Sequence, residues 1–175
     1  MIYKTKIQGL ILIESKKYFD NRGYFFESYN EKIYSKIGIK KKFLQDNFAI
    51  SKKNVLRGLH YQNKKPQGKL ITVIKGSILD VAVDIRKNSK TYGKHQTFLL
   101  SEKNCRQLWI PEDFAHGFLA LSPNTIVNYK VTEFYDPKDQ NTIIWNDKDL
   151  NISWLTKKPI ISEKDKQGFL FKDIF

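Results

Sequence analysis

This sequence holds little of what most often marks an active site or an export route. It has one cysteine, Cys105, so no internal disulfide can close and no set of thiolates can gather a metal. Its three histidines, His60, His95 and His116, are widely spaced, with no His-x-His pair and no His-Glu-x-x-His. From that spacing neither a metal nor a cofactor is expected. Near the start the longest wholly apolar run is Leu10 to Ile13, far short of the roughly 20 residues that span a bilayer. MIYKTKIQ leads into no signal-like apolar segment. These absences predict a cytoplasmic protein with no membrane partner.

Charge of one sign, by contrast, is abundant: 31 basic residues face 18 acidic ones, a net +13. Yet arginine, the commonest specific reader of guanine, occurs only as Arg22, Arg57, Arg86 and Arg106. The lysines are scattered, with short clusters at Lys40-Lys41-Lys42 and Lys64-Lys65, and no zinc-finger, helix-turn-helix or RNA-recognition pattern appears. Nucleic acid is therefore not expected as a partner. A lysine-coated surface accounts for the balance, and local positive potential equally suits an anionic small-molecule substrate.

What is present is β structure. In SILDVAVDIR, Leu79, Val81, Val83 and Ile85 share one face while Ile78, Asp80, Ala82 and Asp84 share the other. KLITVIKG, TIVNYKVTEFY, GLILI, GYFFESY, NFAISK, HQTFLL and RQLWI are further strand candidates, rich in β-branched and aromatic residues. Turn residues separate them, among them Asp20-Asn21-Arg22-Gly23 and Lys75-Gly76. Helices are few. Asn30 is placed to cap one, with Ile33 and Ile37 on one face and Gly38 past its end, and another starts at Ser162. Many short strands predict an all-β sandwich or barrel, of which the double-sheet jelly roll is one form. The length suits a single domain over residues 1–175, with loops and short helices from about Pro137 laid over the barrel.

RGLHYQ, residues 57 to 62, concentrates the rare residues. As an extended strand it puts Gly58, His60 and Gln62 on one face and Arg57 with Leu59 and Tyr61 on the other. His60 is then either a satisfied barrel histidine or a general base, since an imidazole titrates near pH about 6.5. For Arg57 to serve the same site, the strand must bulge or twist at Gly58. Lys69, in QGKLI, is one more surface lysine or a cation set against an oxyanion. Tyr129 is a core tyrosine or a general acid. In SEKD, Asp165 is a capping residue reaching back to Ser162, or a carboxylate that orients His60.

The segments FDNRGYFFESYN, FLQDNFAISKKNVLRGLHYQ, QGKLITVIKGSILDVAVDIRKNSKTYG, RQLWIPEDFAHGFLALS, YKVTEFYDP, IIWNDKDLNISW and SEKD resemble, in order, those of the dTDP-4-dehydrorhamnose 3,5-epimerases. The resemblance spans residues from about 10 to 166, and RGLHYQ with WIPEDFAHGF carries most of it. It implies a cupin-type jelly roll that uses no metal and forms a homodimer. It implies a nucleotide-diphosphate sugar as substrate, epimerised through an enolate at carbons 3 and 5, in rhamnose-type deoxysugar biosynthesis for surface polysaccharide. In that reading His60 is the base, Asp165 supports it, Lys69 faces the enolate oxygen and Tyr129 is the acid on the opposite face. Arg57 and His116 contact the diphosphate or sugar. Arg22, Glu27, Gln45 and Asn47 match nucleotide- or phosphate-binding positions, with Gln62 and Lys164 as further binding residues. The FDNRGYFFE segment reaches the neighbouring subunit's site. Phe134-Tyr135 stands where relatives often have two tyrosines, leaving Phe134 a ring for stacking, and KDQN replaces an acidic residue followed by glycine. These two departures leave room for a GDP- or CDP-linked hexose or heptose, or for epimerisation at carbon 3 alone.

Overall fold

The computed structural model describes residues 1–174, so the expected domain boundary at Phe175 lies just outside them. Two antiparallel sheets face each other. One runs in the order β1 (Ile2–Tyr3), β2 (Ile11–Glu14), β10 (Arg106–Ile110), β7 (Lys69–Lys75), β12 (Thr125–Val131), β5 (Gln45–Ser51). The other runs β13 (Gln140–Thr142), β6 (Leu56–Gln62), β11 (Phe114–Ala120), β8 (Ser77–Asp84), β9 (His95–Ser101). A separate hairpin pairs β3 (Lys17–Asp20) with β4 (Gly23–Phe26). The jelly-roll expectation holds.

Three apolar layers explain why the central strands read as nearly continuous hydrophobic runs. Between the sheets lie Ile71, Val73, Ile78, Ala82, Leu108, Phe114, Phe118 and Val127. Truncating one of the larger members to alanine costs about 2–5 kcal/mol. The outer face of the second sheet buries Leu79, Val81, Val83 and Ile85, the face expected from alternation, beneath Ile143, Leu150 and Trp154 of the C-terminal third. The outer face of the first sheet buries Ile13, Leu70 and Trp109 beneath Tyr34 and Ile39. With both faces covered, β8 is buried almost throughout.

Helix α1 (Glu31–Lys36) starts where expected, with the Asn30 side chain accepting from Lys32 and Ile33 N–H, and Gly38 follows its end at φ +102°. Its buried face differs from the expectation: Tyr34 and Ile37 pack inward, while Ile33 is 50% exposed. Tyr34 wins because its hydroxyl reaches the buried Gln107 and the Ser28 carbonyl, tying the helix to β10. Strand β11 was absent from the expected set. Its sequence, FAHGFLA, is apolar without alternation and carries an interior glycine. No helix among the described residues is long and apolar enough to cross a membrane.

Candidate active site

The site begins with an irregularity in β6. Opposite β11, His60 pairs with His116 and Arg57 pairs with Phe118, so three steps on β6 match two on β11. The extra residue is a bulge at Gly58–Leu59, with Gly58 at φ +124°. A Cβ on Gly58 would lie 2.5 Å from Gly117 Cα, so two glycines let the strands approach. The bulge resets the alternation. Leu56, Leu59 and Tyr61 turn to the outer core, while Arg57 and His60 both reach the space between the sheets. That is the device Arg57 was expected to need.

The same bulge anchors the carboxylate. Asp165 lies in α2 (Glu163–Lys166), whose N-cap Ser162 accepts from the Asp165 backbone N–H at 3.1 Å. The helix start is thus as expected, and the Asp165 carboxylate keeps a hydrogen bond with the Ser162 side chain. Its Oδ2 accepts from Gly58 N–H at 3.3 Å, and its Oδ1 lies 2.6 Å from His60 Nε2. Burial pushes the Asp165 carboxyl up, yet the hydrogen bonds from His60 and Gly58 outweigh it and hold the group below the usual carboxylate range. An ionised Asp165 requires the hydrogen on Nε2, which leaves Nδ1 of His60 as the basic nitrogen.

A cavity of about 400 Å³ opens beside it, lined by His60, Arg57, Lys69, His116, Tyr129 and Tyr135 among others. Lys69 is buried, and desolvation pulls its ammonium down to about 8, with Asp80 acting in the opposite direction. Tyr129 comes from β12, on the sheet opposite β6; burial pushes its phenol up, partly offset by the Arg57 charge. His116 Nε2 lies 2.9 Å from Asp80 Oδ2, a second histidine–aspartate pair. Arg57 is steadied by Ser51 Oγ at 3.1 Å and by the Ile50 carbonyl at 3.3 Å. Each wall thus carries a group able to move a proton and a cation beside it: His60 with Arg57 on one sheet, Tyr129 with Lys69 on the other.

Of the other expected residues, Gln45, Asn47 and Gln62 line this cavity. Gln45 Oε1 accepts from Tyr135 N–H at 3.0 Å, and Gln62 bonds the Lys65 and Phe134 carbonyls, so both hold the wall as well as form it. Lys164 lines an adjoining recess shared with Arg57, His60 and Asp165. Three residues fall elsewhere. Phe134 is 58% exposed and absent from both walls, whereas its neighbour Tyr135 lines both, so the stacking ring the geometry offers is Tyr135. Arg22 forms an exposed ion pair with Asp20, and Glu27 accepts from Asn30 Nδ2; neither reaches the cavity of its own chain. Asp80, Tyr135 and Gln140 were not among the expected site residues. A charged residue at the inner-face position between Ile78 and Ala82 was the available signal for Asp80. Among the described residues no group of three or more histidine, cysteine or carboxylate side chains is placed to hold a metal ion.

The dTDP-4-dehydrorhamnose 3,5-epimerase family profile matches residues 4–173. A dTDP-4-dehydrorhamnose 3,5-epimerase of Methanothermobacter thermautotrophicus is 53% identical over 93% of this chain and 90% of its own length. One from Shigella flexneri is 47% identical over 98% of this chain and 96% of its own. The crystal structure of the Legionella pneumophila dTDP-6-deoxy-D-glucose-3,5-epimerase in complex with dTDP-4-keto-L-rhamnose superposes with a TM-score of 0.97, 45% identity, and coverage of 100% of this chain and 94% of that one. By its sequence and its fold, this chain belongs to the dTDP-4-dehydrorhamnose 3,5-epimerase family.

Proposed function

We propose that the protein inverts carbons 3 and 5 of a dTDP-linked 4-keto-6-deoxyhexose, in rhamnose-type deoxysugar biosynthesis. The observation that carries this reading is the placement of His60 and Tyr129 on opposing sheets around one cavity, with Lys69 lining it from β7, the strand beside that of Tyr129. His60 Nδ1 takes the proton from the carbon beside the keto group, and the C–H electron pair moves onto the keto oxygen as an enolate. The Lys69 ammonium, itself buried, opposes that charge. The Tyr129 hydroxyl then returns a proton to the opposite face, which inverts the carbon; the phenolate regains its proton from solvent as His60 releases the abstracted one to it. The raised Tyr129 phenol is protonated at neutral pH, as a donor must be.

The protein acts as a single domain in a homodimer. The β3–β4 hairpin presents Phe19 and Phe25, 73% and 70% exposed, and carries Arg22 at its tip away from its own cavity. A second copy is the occupant that gives Arg22 and Glu27 a substrate to hold. Mixing an Arg22→Ala variant with a His60→Asn variant then restores activity that neither has alone. A cytoplasmic location suits the lone, buried thiol of Cys105.

NMR of the reaction in heavy water tests the chemistry: solvent deuterium enters at both carbons, and its absence from both rejects the proposal. A second reading rests on the departures at Phe134 and in the KDQN loop, whose Gln140 lines both recesses. It assigns the same chemistry to a GDP- or CDP-linked sugar, or to carbon 3 alone, and a nucleotide-sugar panel separates the two.

A further inference from the structure

Behind His116 in the cavity wall, Asp80 is wholly excluded from solvent. Its Oδ2 is held by His116, and its Oδ1 is the buried side-chain polar atom that, among the described residues, has no hydrogen-bonding partner. Its inner-face neighbours on β8 are Ile78 and Ala82, so an apolar residue would fit the core pattern better. A buried carboxylate without full pairing costs several kcal/mol, and such a cost persists where the charge is used. The titratable and charged groups of the cavity that His116 joins are Lys69 from β7, His60 and Arg57 from β6, and Tyr129 from β12, with Asp165 of α2 behind His60. On the neighbouring strands β9 and β10, His95 is engaged with the Leu150 backbone and Arg106 is paired with Glu14.

We infer that Asp80 is a positioning residue: its carboxylate holds His116 with Nδ1 turned into the cavity and keeps Lys69 charged, so that the enolate oxygen meets a fixed donor pair. Asp80 itself need not touch the substrate. The inference rests on the reading of Lys69 and His116 as the groups that face the enolate. It gives the orphaned oxygen a reason, because a carboxylate satisfied by further hydrogen bonds would place less negative potential on Lys69.

The near-isosteric Asp80→Asn variant tests this. The expected results are a fall in kcat of at least about tenfold with KM changed by less than about threefold, as for an interaction made mainly in the transition state. The alkaline limb of the kcat profile moves to lower pH, and the thermal midpoint is kept or raised. A lowered midpoint, with activity that tracks the folded fraction and an unshifted limb, would show a structural role only and overturn the inference. Two substrate-free measurements keep it separable from the proposed reaction. In the wild type, 15N NMR should find His116 Nε2 protonated; a bare Nε2 overturns the inference. Titration of 13C-labelled Lys69 should give a lower midpoint in Asp80→Asn than in the wild type; an unchanged midpoint overturns it. Failure of the wild type to turn over any nucleotide sugar would instead strike the reaction itself.

Discussion

Asp165 and His60 stand 105 positions apart in the chain and 2.6 Å apart in space, and the same carboxylate also takes the N–H of the bulge residue Gly58. Orientation of the base and distortion of its strand are therefore one event. Substituting His60 by Asn removes the base while keeping the polar contact to Asp165. Solvent exchange into substrate should fall by about 10²–10⁴-fold, while calorimetry finds nucleotide binding little changed. Retained exchange would remove His60 from its role.

Tyr129→Phe keeps the ring that packs against the inner core and removes only the hydroxyl. His60 can still remove and return a proton on one face. Deuterium should thus continue to wash into the substrate while net inversion falls by about 10²–10⁴-fold. Loss of both together would assign the tyrosine to binding instead.

Lys69 predicts opposite pH trends for activity and stability. Its ammonium is lost in the folded protein near pH about 8 but in the unfolded chain near 10.5. Between these values the unfolded chain binds the additional proton, so stability rises with pH, by up to about 3 kcal/mol, as the enolate-stabilising charge disappears. Lys69→Met should flatten the rise seen in denaturant titrations, and should abolish turnover at every pH.

Asp84 makes the complementary acid-side prediction. Burial pushes its carboxyl up, but Arg86, Ser89 and Thr91 outweigh that and hold it at about 2, against 3.8 ordinarily. Its stabilisation, about 2 kcal/mol, is present above 3.8 and fades as pH falls towards 2. Asp84→Asn should lower the unfolding midpoint near neutral pH and weaken the acid dependence, with the site untouched.

Gly58→Ala tests the bulge. The added Cβ would meet Gly117 Cα at 2.5 Å and the His116 carbonyl at 2.8 Å, on a backbone at φ +124°. A loss above about 2 kcal/mol is expected from strain and contact together. kcat should fall further than the folded fraction does, because Arg57 and His60 no longer share a wall.

Alternation and turn residues made most strands legible, and the all-β architecture with them. They failed at β11, where burial on both faces and a crossing glycine erase the period. They failed also in α1, where Tyr34 rather than Ile33 turns inward because a long-range hydrogen bond outranks local spacing. His60, Lys69, Tyr129 and Asp165 were named through the resemblance, since residue types alone left each with an ordinary structural explanation. Composition could not say that Asp165, three residues past its cap, also reaches His60. Nor could it say that Tyr135, not Phe134, faces the cavity; that depends on how the chain turns after β12.

The carboxylate that meets His60 arrives on a four-residue helix held outside the barrel strands. The barrel strands alone already carry Arg57, His60, Lys69, His116 and Tyr129, yet without that helix the histidine would have no fixed tautomer. The helix thus acts as a safety catch: peeled from the barrel, it would leave the proposed base disarmed while the cavity still stood.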